Sequence, residues 1–166
     1  KANDPTKAAK QISLSQLGSI KLDKEETKKM VTTIPRSSVL GFIIGVLPGA
    51  GATIASFLAY GMERNFVNDE EKQKFGKGSV NGIAAPETAN NAACSGSFVP
   101  LLTLGIPGSG TTAVMLGALL GFGIQPGPRL YQTNPEIFWS VIMSMYIGMV
   151  VLLILNLPLI PYIARV

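Results

Sequence analysis

The 166-residue chain contains no histidine and a single cysteine. Without histidine it lacks the commonest metal ligand and general base. Cys94 has no partner within the chain, which excludes an internal disulfide and gives a zinc cluster no support. Charge is also scarce: Asp, Glu, Lys and Arg make up 14% of the residues, against about 25% in an average soluble protein. Between Lys77 and Arg129 there is no Lys or Arg, and Glu87 is the only charge. Apolar and small residues fill the space, with 47% hydrophobic residues, 18 Gly and 11 Pro. This is the composition of a membrane protein. With neither a signal peptide at Lys1 nor a natural-looking end at Val166, the chain reads as a piece of a longer polypeptide.

The remaining charges are clustered, and the clusters divide the chain. Residues 1–36 are polar and Lys-rich and read as a cytoplasmic loop beside a membrane. Within "LDKEETKKM", Asp23 and Glu26 have the spacing of a capping box for a short surface helix. A second charged stretch, "ERNFVNDEEKQKFGKG", opens a connecting segment, residues 63–83. Basic residues beside apolar spans tend to stay cytoplasmic, which places both stretches on one side. The basic residues lack interleaved aromatics and flank apolar runs, so the net charge of +4 does not point to nucleic acid.

Residues 37–62, "SSVLGFIIGVLPGAGATIASFLAYGM", would suffice for one crossing of a hydrocarbon core, for which about 20 residues are needed. Pro48, Gly49, Ala50 and Gly51 interrupt them, removing a backbone donor and supplying flexible glycines. Each arm then holds about eleven residues, roughly 16 Å of helix, or half a bilayer. Either the segment re-enters as a hairpin with its tip near the midplane, or it is a broken spanning helix. A plain proline kink is the third reading, with Gly41 and Gly45 as a GxxxG packing face. Irregular backbone at membrane depth is tolerated only inside protein or along a watery cavity.

Residues 84–124 repeat the design. They are too long for one crossing and are interrupted by Pro100 and then by "LGIPGSGTT", which contains Ile106, Pro107, Gly108 and Ser109. Paired interruptions of this kind mark the discontinuous helices of secondary transporters. A broken helix exposes N–H groups at the start of its second half, at the positive end of the dipole, where an anion binds. Ala52 and Thr53 begin one such half-helix; Ser109, Gly110, Thr111 and Thr112 begin the other. In the absence of nearby cationic side chains, the anion would be held by N–H groups, hydroxyls and amides. The carbonyls that end the preceding segments offer ligands to a cation.

Glu87 stands at the head of this run, and Asn90 and Asn91, three and four residues on, share its helical face. An intramembrane carboxyl so placed is expected to exchange a proton or to help bind sodium, with the sodium site near Asn90 and Asn91. Pro86 suits a first helical turn and leaves Glu87 near the positive end of the helix. An ordinary helix-start acid with no transport role would occupy the same place.

Three stretches, "GVLPGAGATIASFLAYGMER", "FGKGSVNGIAAPETANNAA" and "PLLTLGIPGSGTTAVMLGALLGFGIQPGP", resemble in this order the second half of the large permease subunit of the bacterial tripartite tricarboxylate transporters. The resemblance implies a polytopic inner-membrane protein of two related halves, of which one is present. It further implies a small membrane subunit and a periplasmic solute-binding protein as partners, and ion-coupled uptake of carboxylates. The family's loops fall on Pro48, Gly49, Ala50 and Gly51 and on Ile106, Pro107, Gly108 and Ser109, and its polar cluster on Glu87, Asn90 and Asn91. Where the family pattern has an acid before "GIAAPE", this chain has Asn81.

Residues 125–136 have the turn chemistry of a loop. Residues 137–166 hold a spanning candidate over 137–157, with Trp139 and Tyr162 as interface anchors and Pro158 and Pro161 ending the helix. "PGSGTT" lacks the lysine of a phosphate-binding loop, and Ser109 has no histidine base, so neither an ATPase nor a serine hydrolase is indicated. The expectation is an all-α polytopic membrane protein with discontinuous or re-entrant helices. It is no enzyme, needs no cofactor, and is coupled to H+ or Na+. A channel-like or docking subunit is the alternative.

Overall fold

The computed structural model describes residues 23–163. The first 22 residues of the N-terminal charged segment and residues 164–166 lie outside the described residues, as do the side chains of Pro161 and Tyr162. All secondary structure described is helical.

Helix α1, Lys24–Val46, begins at a capping box: the Asp23 carboxylate accepts from the Lys24 N–H, and the Glu26 carboxylate accepts from the Asp23 N–H at 3.0 Å. The helix runs on through Pro35, so the charged start and the apolar arm form one rod of 23 residues where the sequence suggested a separate surface helix. It ends because Leu47 precedes Pro48 and is extended, with φ −76° and ψ 118°, as a pre-proline residue prefers. Gly49 and Gly51, with φ of 82° and 70°, then turn the chain back.

Helix α2, Gly51–Phe66, returns antiparallel to α1, since Glu63 near its end bonds Thr33 and Arg36 near the middle of α1. The interruption at residues 48–51 is therefore the tip of a hairpin and not a break in a crossing helix. After the short α3, Asp69–Lys72, comes α4, Val80–Gly96, which packs along both arms. Asn81 lies at the level of Thr33, Ala89 at that of Gly41 and Ala93 at that of Gly45. A Cβ built on Gly41 would stand 2.6 Å from the Ala89 Cα, and one on Gly45 2.6 Å from the Ala93 Cα, so the two backbones touch. The seam is completed by Ala55 and Ala59 of α2 and by Ala85 of α4.

Pro86 and Glu87 do not begin a helix. Ser79 caps α4, its hydroxyl accepting from the Gly82 N–H at 3.1 Å, and Pro86 lies inside the helix. An interior proline deprives one carbonyl, that of Gly82, of its partner, which a helix supported by packing on two sides withstands. Glu87 thus sits about two turns from the helix start, beyond the reach of the dipole's positive end.

Helix α5, Phe98–Leu104, is closed by Gly105 at φ 71°, with the Ile106 N–H bonded to the Pro100 carbonyl. Helices α6, Gly110–Gly121, α7, Leu130–Thr133, and α8, Pro135–Ile163, follow. Leu102, Leu130 and Val141 form a second apolar cluster with Phe98, Met115 and Ile137, tying α8 to α5 through α7. Over Pro135–Ile160, α8 is the one helix among the described residues long and apolar enough to cross a membrane. Pro158 and Pro161 do not end it. The helix continues through both prolines to Ile163.

Candidate functional site

Two interruptions far apart in sequence meet at the tip of the hairpin. The Gly49 N–H donates to the Gly108 carbonyl at 3.3 Å, joining the loops directly. Gly108 fits there because it has no side chain: a Cβ would meet Ser97 at 3.0 Å and the Gly45 carbonyl at 3.2 Å.

The joined loops border a cavity of about 490 Å³. Gly49, Gly51, Ala52 and Thr53 line it from the first loop; Pro107, Ser109, Gly110 and Thr111 line it from the second. Ala93 and Cys94 of α4 and Ala113 of α6 complete the wall, which contains no charged side chain. Of the other expected loop residues, Pro48 and Ala50 shape the first turn, while Ile106 and Gly108 shape the second. Thr112 is buried and takes part in capping.

The two helix starts present different chemistry to this cavity. Helix α2 has Ala50 at its N-cap and no side chain to satisfy its first turn, so the N–H groups of Gly51, Ala52 and Thr53 are left for an occupant. Helix α6 caps itself: the Ser109 hydroxyl accepts from the Thr112 N–H at 3.3 Å, and Thr112 Oγ1 accepts from the Ser109 N–H at 2.8 Å. The N–H groups of Gly110 and Thr111 remain. At the end of α5, the Leu101 and Pro100 carbonyls accept from the Gly105 and Ile106 N–H groups.

The polar residues of α4 divide between two faces. Glu87, Asn91 and Cys94 are exposed at helical spacing along one face. The Asn91 amide donates to the Glu87 backbone carbonyl at 2.9 Å, and the Glu87 carboxylate has no hydrogen bond or ion pair among the described residues. Asn90 turns toward α2, where its amide donates to the Ser56 hydroxyl at 3.4 Å. Glu87, Asn90 and Asn91 are not among the residues lining the cavity. No three His, Cys, Asp or Glu side chains come together as a metal site among the described residues.

A second polar cluster, at the open end of the hairpin, has no counterpart in the sequence reading. Glu63 is 1% exposed; its Oε1 accepts from the Thr33 hydroxyl at 2.7 Å and the Asn81 amide at 3.2 Å, and its Oε2 from Arg36 at 3.1 Å. Arg36 also lies over the Phe66 ring, 4.3 Å from its centroid. Asn81 thus donates to a buried carboxylate that an acid in its place would repel. Beside it, Lys29 binds Glu71 at 2.8 Å and the Ser79 hydroxyl donates to Glu71 at 2.9 Å. The two ion pairs, Arg36–Glu63 and Lys29–Glu71, join residues 27 and 42 positions apart. The only sequence signal was that charges flank both ends of an interrupted apolar run.

Interrupted helices joined at their loops, a cavity at two helix starts and a long apolar helix are features in keeping with a membrane transporter component. A model of the Tripartite tricarboxylate transporter TctA family matches residues 1–166, and the chain belongs to that family. The family is one of transporters, not of enzymes. Two relatives come from Agrobacterium vitis. An uncharacterised 52.8 kDa protein in the TAR-I ttuC′ 3′ region is 43% identical over 151 residues, covering 91% of this chain and 30% of its own length. An uncharacterised protein in the TAR-II ttuC′ 3′ region is 49% identical over 120 residues, covering 72% of this chain and 49% of its own length. The chain therefore spans less than half the length of these curated relatives. No solved structure matches it.

Proposed function

We propose that this chain is part of a multi-pass inner-membrane permease that takes up tricarboxylates or related carboxylates by ion-coupled secondary transport. A small membrane subunit and a periplasmic solute-binding protein would work with it, as the family's tripartite name suggests. The observation that carries the reading is the joining of the two loops, which turns two helix starts toward one cavity without a cationic side chain. Carboxylate oxygens would be held by the N–H groups of Gly51, Ala52 and Thr53 and of Gly110 and Thr111, aided by the Thr53 and Thr111 hydroxyls. The rest of the permease would supply the remaining wall. Glu87, exposed and unpaired on the face that leads to Cys94, is assigned the coupling of H+ or Na+, with Asn91 beside it.

The test is citrate uptake into vesicles holding the complete transporter, with proton and sodium gradients imposed separately, for the parent and Glu87→Gln. Loss of gradient-driven uptake with citrate binding retained supports the coupling role. Equal uptake by both makes Glu87 a surface acid and leaves the loops alone as the working site. Absence of citrate flux in the parent would favour a docking subunit.

A further inference from the structure

Resting on the carboxylate reading of the joined-loop cavity, a side-chain network behind its wall defines a further role. Ser56 lies on α2 one turn beyond Ala52, and its hydroxyl has two acceptors within reach, the Ala52 carbonyl at 3.0 Å and the Pro86 carbonyl at 3.1 Å. A hydroxyl has one proton to donate and lone pairs with which to accept. The Asn90 amide donates to it at 3.4 Å, and the Cys94 thiol lies 3.9 Å from the Asn90 Oδ1. Both ends of this chain of contacts, Ala52 and Cys94, line the cavity, while Ser56 and Asn90 do not.

Away from the Asn81–Glu63 hydrogen bond at its open end, the rest of the α2–α4 seam is alanine, which fixes distance more than local register: Ala55, Ala59, Ala85, Ala89 and Ala93 present smooth methyl surfaces. Ser56 and Asn90 supply the polar contacts across the middle of that seam, and directional bonds set the axial position that methyl packing leaves free. We infer that Ser56, with Asn90, is a positioning residue that locks the first turn of α2 to the Cys94 turn of α4 and so sets the aim of the Gly51–Thr53 N–H groups at the substrate. Asn90 acts on the substrate through α2 and not by contact.

The experiment uses the complete transporter in vesicles and compares Ser56→Thr with Ser56→Val, two side chains of nearly equal shape that differ by the hydroxyl. Half-saturation for citrate and maximal uptake per inserted transporter are measured for each. Ser56→Thr is expected to hold the parent's half-saturation value. Ser56→Val is expected to raise it roughly fivefold to tenfold, the factor one hydrogen bond is worth, with maximal uptake changed less. Asn90→Leu should raise it similarly, and the double variant Ser56→Val/Asn90→Leu should be no worse than either single, as members of one network behave. A purely structural hydroxyl would lower the amount inserted or maximal uptake and leave half-saturation alone. Equal half-saturation in Ser56→Thr and Ser56→Val, or additive effects in the double variant, overturns the assignment. A parent that takes up no citrate fails the carboxylate reading instead, and the two failures are thereby distinct.

Discussion

At the scale of single residues, the acids of the connecting segment and of α4 stand in opposite settings. Glu87 is exposed without an ionic partner, whereas Glu71 is buried and answers to three neighbours. Its carboxyl is held below the usual value of 4.5, first by the hydrogen bond from Lys29; burial pushes the other way, and Ser79 and Lys74 add to the lowering. A carboxyl whose folded pKa is depressed contributes stability that is whole above its unfolded value and disappears as pH falls through the folded one. Amide protection around α3, read by hydrogen exchange on the complete permease, should hold steady down to about pH 4.5 and decline below it. Lys29→Ala removes the largest cause, so protection at neutral pH should be lower and the decline should finish closer to 4.5. Superimposable profiles for parent and variant would show that the Lys29 bond does not anchor α3. Asn81 illustrates the same local logic: an amide donates to the carboxylate of Glu63, which Arg36 already balances.

At the scale of elements, the features that could be read from sequence were those encoded within a few residues. The capping box at Asp23 and Glu26 appears where expected, and a helix starts at Ser109–Gly110 as the interruption there suggested, whereas residues 48–51 could be read as an interruption but not as a turn rather than a kink or a break. Pro86 was misleading because proline marks a helix start only statistically. Here Ser79 supplies a cap two turns earlier, and packing supports the helix through the proline. Pro158 misled for a related reason in α8. The hairpin itself depends on Arg36 and Thr33 meeting Glu63, a pairing that no local pattern announces. The choice of small residues was legible as a GxxxG face but its partner was not, since α4 has alanines where any apolar helix might have been expected. The seam makes a sharp prediction. Gly45→Ala forces a methyl into the Ala93 backbone, which cannot yield as a flexible side chain would, and should cost about 1–3 kcal/mol or more as overpacking. Gly61→Ala, in the same hairpin with nothing within 4 Å of the added carbon, should be neutral or stabilising by up to about 1 kcal/mol from helix propensity. Thermal unfolding of the purified permease checks both, and equal destabilisation by the two would remove the α1–α4 backbone contact from the account.

At the scale of the whole molecule, the antiparallel course of α1 and α2 becomes a statement about sidedness. Their open end gathers Lys24, Lys28, Lys29, Arg36 and Arg64 beside the apolar arms, while the tip carries no charge from Leu47 to Thr53. Basic residues in that position resist translocation, so the open end should face the cytoplasm and the joined loops should lie within the membrane. A hairpin places Lys28 and Lys74 on one side. A helix broken at Pro48 and crossing the bilayer would place them on opposite sides. In a background with every cysteine of the permease replaced, Cys94 of this chain included, Lys28→Cys and Lys74→Cys can be probed one at a time with a membrane-impermeant thiol reagent. Both should react from the cytoplasmic face in inverted vesicles and stay protected in intact cells. Ala50→Cys, at the tip, should react far more slowly than either from that face. Labelling of Lys28→Cys and Lys74→Cys from opposite faces would convert the hairpin into a broken crossing helix, and with it would go the geometry that brings Gly49 to Gly108.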